Sequence, residues 1–95
     1  KYFDGDKVSN NITLRFRRNG DRFNPLGMTG SRKLKDIFID MKVPREERNM
    51  IPLICFNDNI GWIAGYKISN NFKIDSSTKE ILIIKMEREE KQWQH

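Results

Sequence analysis

Arg15-Phe16-Arg17-Arg18-Asn19-Gly20-Asp21-Arg22-Phe23-Asn24-Pro25-Leu26-Gly27 is the stretch on which the reading of the chain turns. Its lead-in, Ile12-Thr13-Leu14-Arg15-Phe16-Arg17, alternates with period two. That period predicts a strand, with Ile12, Leu14 and Phe16 on a buried face and Thr13, Arg15 and Arg17 on a cationic outer face. Asn19-Gly20 then turns the chain. Pro25 biases Asn24 toward an extended conformation. Between Arg15 and Arg48 there are ten Lys/Arg and five Asp/Glu, whereas the other residues hold eight of each. The net charge of +5 therefore sits wholly in this segment. Such a concentrated excess points to a polyanionic partner, and the competing explanation is a solvated lysine-rich surface.

Downstream, Ser31 is placed to cap a helix. Leu34, Ile37, Phe38 and Met41 follow at i, i+3, i+4 and i+7 and predict its core face. On this reading Arg32, Lys33 and Lys35 crowd the first turn, where the helix dipole disfavours cations and free N–H groups bind phosphate. Arg32, Lys35 and Lys42 then fall along one side. Pro44 suits the start of a second short helix, with Glu46 and Glu47 in its first turn and Arg48 in its last. Leu53 to Phe56 and Ile60 to Tyr66 read as a hairpin about Asn57-Asp58-Asn59. Ile60, Trp62, Ala64 and Tyr66 are expected on one face, with Gly61 and Gly65 permitting close approach on the other. Trp62 reads as core rather than as a base-stacking platform. Residues 1–4 form a short strand, 67–79 carry no clear pattern, and Ile81 onward is a strand buried on both faces at its start. The fold expected is α+β: a small single domain with a mixed or antiparallel sheet and two short helices, spanning residues 1–88. Residues 89–95 read as a charged tail, disordered or an expression remnant.

At 95 residues, with 37% hydrophobic and 33% charged residues, one small core is within reach. No apolar run approaches the roughly 18 residues of a spanning helix, so no membrane partner is expected. The opening Lys1-Tyr2-Phe3-Asp4 lacks an initiator Met and a signal-peptide pattern and reads as a piece of a longer protein. A single cysteine, Cys55, excludes an intrachain disulfide and fits a reducing compartment. Its apolar neighbours make it a core thiol, and the sole histidine, His95, is terminal. There is no Walker loop, no dinucleotide fingerprint, no zinc cluster and no Ser/His/Asp set. No catalytic, cofactor-binding or metal-ligating residue is expected here.

Several motifs, in order, carry a family resemblance: Leu14-Arg15-Phe16-Arg17, Gly20-Asp21-Arg22-Phe23, Pro25-Leu26-Gly27, Lys33-Leu34-Lys35-Asp36, Val43-Pro44-Arg45-Glu46-Glu47-Arg48 and Ile60-Gly61-Trp62. Together they resemble the C-terminal domain of bacterial tRNA(Ile)-lysidine synthetase, with Arg32 standing where lysine is more usual. The resemblance implies a cytoplasmic, ATP-dependent ligase that attaches lysine to the wobble cytidine of tRNA(Ile) with anticodon CAU. The family's Ser-Gly-Gly-x-Asp-Ser loop, which serves ATP and Mg in the N-terminal domain, is absent from this chain. A catalytic role is therefore carried only by the longer enzyme. The implied partners are the tRNA(Ile) acceptor stem and the N-terminal catalytic domain of the same chain, with a homodimer as a further option. Arg17, Arg18, Arg22, Arg32, Lys33, Lys35, Lys42, Arg45 and Arg48 form the pool expected to supply RNA contacts. Arg15, Asp21, Asp36 and Asp40 read instead as internal ion pairs around Gly20 and the first helix, and Arg48 is open to pairing with Glu47 or Asp40. Two other readings compete. One is a protein-interaction or dimerisation module without RNA contact, which exposed Phe23, Trp62 or Phe72 would favour. The other is an independent nuclease.

Overall fold

A computed structural model describes residues 1–8 and 11–87. The expected tail at 89–95 lies outside these residues. In chain order the elements are β1 (Tyr2–Asp4), β2 (Ile12–Arg15), β3 (Arg22–Phe23), β4 (Arg32–Lys33) and α1 (Leu34–Asp40). A 3-10 helix (Arg45–Met50), β5 (Leu53–Phe56), β6 (Asn59–Ile63), β7 (Lys67–Ile68), a 3-10 turn (Asn70–Phe72) and β8 (Ile81–Ile83) follow. Among the described residues every strand pairing is antiparallel: a four-stranded sheet in the order β2-β5-β6-β7 and two ribbons, β1-β8 and β3-β4. This is the expected α+β class, with the second helix wound as 3-10.

The four-stranded sheet separates two cores. On one face Leu53, Cys55, Ile60 and Ile63 meet Leu34, Ile37 and Phe38 of α1, with Phe23, Val43 and Ile51. On the other, Ile54, Phe56 and Trp62 meet Phe3, Phe72 and Ala64, with Leu82 and Ile84 packed against them. A register shift at Ile54/Cys55 pairs Ile54 with Trp62 but Cys55 with Ile60. This bulge sends Ile60 and Trp62 to opposite cores, so the expected shared face does not form. Asn57 turns the β5–β6 hairpin at φ 56°, a left-handed conformation that asparagine tolerates. Trp62 is 5% exposed, a core residue as expected, and its indole Nε1 has no hydrogen-bond partner among the described residues.

Three further expectations fail, each for a local reason. The helix does not start at Ser31. Arg22 donates from Nε to Ser31 Oγ at 2.9 Å and from a terminal nitrogen to Ser31 O at 3.1 Å. Arg32 and Lys33 instead form β4 against Phe23 and Arg22. Only Lys35 of the three cations lies in the seven-residue helix, so the crowded first turn does not form, and the N–H of Leu34 at the helix start is taken by Asp21 O. The helix ends in a Schellman-type turn, with Lys42 at φ 56° and Val43 N bonded to Phe38 O. Secondly, Ile12, Leu14 and Phe16 are 46%, 54% and 49% exposed. They share a face as expected, but β2 is an edge strand and the second core stops short of them. Arg15 on the opposite face is the half-buried residue, held by Asp21. Thirdly, β8 pairs only with β1, leaving Ile81 and Ile83 exposed.

The β1–β8 ribbon is clamped by carboxylates. Asp4 accepts from Thr78 Oγ1 at 2.8 Å and Asp6 N at 2.9 Å, and Lys7 bridges Asp4 (3.5 Å) and Asp75 (2.8 Å). Burial pushes the Asp4 carboxyl up, but Thr78, Asp6 N–H and Lys7 outweigh it and leave it below its usual 3.8. Lys7 and Ser77 hold Asp75 far below the same value. Both folded-state values are depressed, so the unfolded chain takes up protons first as the pH falls. The stabilisation is present above pH 3.8 and is lost as pH falls through the lower folded values. Urea midpoints measured against pH are expected to stay level down to about pH 5 and then drop. Asp4→Asn should flatten that acid limb; an unchanged limb would remove the clamp from the account.

Candidate nucleic-acid interface

The basic segment folds around Asp21. Its carboxylate accepts two bonds from the Arg15 guanidinium, both 2.9 Å, and one from Arg18 N at 2.8 Å. Asp21 N donates to Arg18 O at 3.2 Å, closing the turn in which Gly20 adopts φ 85°. A side chain is strongly disfavoured at that angle, which is why glycine follows Asn19. The Asp21 carbonyl then accepts from Leu34 N at 2.8 Å. That bond sets the start of α1 beside the turn. Burial raises the Asp21 carboxyl, but Arg15 and the Arg18 N–H more than offset it, and it lies below its usual range. Asp21 is thus an ionised, fully engaged anchor.

Because Leu34 is tied to Asp21, Lys33 and Lys35 flank the same concavity as Arg17 and Arg18. The four cations, with Asn19, Gly20, Asp21, Leu34 and Asn49, line a groove of about 450 Å³. Arg17 donates from Nε to Asn49 Oδ1 at 2.6 Å, drawing the 3-10 helix into the wall. The side chains of Arg18, Lys33 and Lys35 make no hydrogen bond or ion pair with the described residues. Among the described residues, the only acid in the wall is Asp21, whose charge is matched by Arg15. The groove therefore presents cations with little internal compensation. Such a surface can bind phosphates, and Arg can do so bidentately.

The other five residues of the expected pool lie outside this groove. Arg22 is engaged by Ser31, and Arg32 forms an ion pair with Asp40 at 2.5 Å. Lys42 terminates α1 and Arg45 is exposed on the 3-10 helix. Arg48 donates from Nε to Val43 O at 2.9 Å, so the expected pairing with Glu47 or Asp40 is replaced by a backbone cap. Of the expected internal pairs, Arg15–Asp21 forms, Asp40 takes Arg32, and Asp36 has no ion pair among the described residues. Asn19, expected only as a turn residue, and Asn49, which no sequence signal marks, are groove residues as well. Cys55 is buried, and burial pushes its thiol up, as a core position requires. Among the described residues, no three His, Cys, Asp or Glu cluster to hold a metal and no helix is long and apolar enough to cross a membrane.

The sequence profile of the TilS substrate C-terminal domain matches residues 12–85. The chain belongs to this family. The tRNA(Ile)-lysidine synthase of Clostridium acetobutylicum is 64% identical over 90 residues, which are 95% of this chain and 20% of that protein. The synthase of Clostridium tetani is 56% identical over 89 residues, 94% of this chain and 19% of that protein. A crystal structure of a TilS C-terminal domain superimposes with a TM-score of 0.71 at 36% identity, covering 84% of this chain and 63% of the other. The chain thus spans about a fifth of the length of these curated relatives. The matched span of this TilS domain contains the Asp21 hub, the cationic groove and the whole four-stranded sheet.

Proposed function

We propose that this domain grips the acceptor stem of tRNA(Ile) for a tRNA(Ile)-lysidine ligase. The carrying observation is the convergence of Arg17, Arg18, Lys33 and Lys35 on one groove. A helical RNA stem presents backbone phosphates and 2′-hydroxyls and is read largely by shape, which suits a concave cationic surface. The ligase step, with its ATP and Mg, belongs on this reading to the N-terminal part of a longer cytoplasmic enzyme. The residues here do not fit ATP: among the described residues no glycine-rich loop feeds a helix start, and α1 follows directly on β4.

The test is titration of the chain with an acceptor-stem minihelix of tRNA(Ile) and with an unrelated stem over a salt series. Neutralising about four to six phosphates gives a log–log salt slope of roughly −3 to −5. Tighter binding of the cognate stem is expected if the domain takes part in selection. Absence of binding at low salt would remove the RNA role.

A second reading, docking against protein, has lost its expected support, since Phe23, Trp62 and Phe72 are all buried. It retains a different one: the open edge of β2, where Ile12, Leu14 and Phe16 stand half-exposed. Sedimentation across a concentration series tests self-association at that edge, and a strictly monomeric chain counts against it.

A further inference from the structure

The Gly20–Asp21 turn has a second side. A smaller cavity of about 290 Å³ lies across it, sharing Gly20 and Asp21 with the cationic groove. Asp21 lines both and Arg15 the smaller one, and their ion pair balances the charge of the partition. Across it the chemistry changes. Beyond the Arg22 guanidinium, which Ser31 holds, the polar groups are the amides of Asn24, Asn59 and Asn71 and the carboxylate of Asp58, set over buried Phe23 and Ile60. They come from three separate parts of the fold: the end of β3, the β5–β6 turn and the 3-10 turn at residues 70–72. None of these four side chains makes a hydrogen bond or ion pair with the described residues.

We infer that this cavity reads one unpaired nucleobase of an RNA whose phosphates lie in the adjoining groove. The inference rests on the phosphate reading of that groove and adds a base subsite to it. Three physical points carry it. An amide offers a donor and an acceptor at once, the pattern that matches a base edge, whereas a carboxylate repels phosphate and accepts from amino groups. Free edges of this kind occur on unpaired nucleotides, since a paired base has already used its own. The two cavities share a one-turn wall, so a single strand crossing Gly20 can leave its phosphate among Lys33, Lys35 and Arg18 and turn its base toward Asn59 and Asp58. Asp58 sets the preference. Cytosine, adenine and guanine bring an amino group to an acceptor, while uracil has no amino group and flanks its single N3–H donor with two carbonyls that a carboxylate repels.

The experiment compares hairpin RNAs with the same stem and loop. One is blunt; the others carry four unpaired nucleotides on each strand at the end, as all cytosine or all uracil. The cytosine-ended RNA is expected to bind the chain about tenfold tighter than the blunt one, the worth of a good base contact. Uracil ends should give little of that gain. Asp58→Ala with Asn59→Ala should abolish the gain and leave blunt-stem affinity and its salt slope unchanged, which also shows the variant folded. Asp58→Asn supplies a donor and should erase the preference for cytosine over uracil. Equal affinity for blunt and frayed RNAs, or a preference that survives the double variant, would overturn the base subsite while leaving the phosphate groove standing. Failure of every RNA to bind would remove both.

Discussion

Lys33→Glu combined with Lys35→Glu is expected to weaken stem binding by about 30-fold or more and to flatten the salt slope by about two. The size follows from counterion release. Each neutralised phosphate contributes about 0.9 to the slope, which between about 0.15 M and 1 M salt is about fivefold in affinity. Two contacts multiply to about 25-fold, and reversal adds repulsion to the loss. The fold should tolerate the change, because both side chains are exposed and neither serves as a partner within the described residues. Lys35 lies in the first turn of α1, where a negative charge is better placed than a positive one by a few tenths of a kcal/mol. The melting temperature should therefore hold or rise slightly as affinity falls. Lys42→Glu with Arg45→Glu makes the matched control. It changes the net charge equally but acts outside the groove. A comparable loss in that control would mean that the domain binds through its general field, and the groove would have no special role.

Much of the frame was legible, for reasons that can be traced residue by residue. The β5–β6 hairpin announced itself through two apolar runs about Asn57-Asp58, and α1 through Leu34, Ile37 and Phe38. The Asn19-Gly20 turn and the Arg15–Asp21 pair were also readable, because turn chemistry and a short-range ion pair are local. What failed was long-range or two-sided. Periodicity states that Ile12, Leu14 and Phe16 share a face; it does not state whether another layer covers that face. Ser31 has the right chemistry for a cap, but a guanidinium nine positions earlier in the chain claims its oxygens. A two-residue strand such as β4 has no period to detect. One bulge was enough to divide Ile60 from Trp62. The nine cations of the sequence-derived pool were indistinguishable by charge. The bond from Leu34 N to Asp21 O sorts them, because it closes a 13-residue excursion and brings only Lys33 and Lys35 to Arg17 and Arg18.

Gly61→Ala is expected to cost about 1–3 kcal/mol, the usual range for an overpacked core. For a domain of this size that is about 4–24 °C in melting temperature. A Cβ on Gly61 would be driven into the ring of Phe56, with Cε2, Cδ2 and Cζ its three nearest atoms. That ring cannot swing aside. It is fully buried, packed edge-on against Phe3 at 5.2 Å between centroids and against Phe72 at 4.8 Å. The backbone cannot retreat either, because Gly61 O accepts from Ser69 N at 2.8 Å in the middle of the sheet. Close approach at Gly61 was expected on the face opposite Trp62, but the ring that approaches is that of Phe56, which shares a core with Trp62. A double-mutant cycle isolates the clash from every other effect of the added methyl group. Phe56→Leu alone opens a cavity and destabilises; with the ring gone, Gly61→Ala should become nearly neutral, giving a coupling on the order of 1–3 kcal/mol. Equal costs of Gly61→Ala in the unaltered chain and in the Phe56→Leu background, read from urea midpoints at constant m-value, would locate the penalty in the backbone of β6 instead. Phe56 belongs to the core on the far side of the sheet from α1. The folded variant should therefore keep the RNA salt slope of the unaltered chain, separating loss of stability from loss of binding.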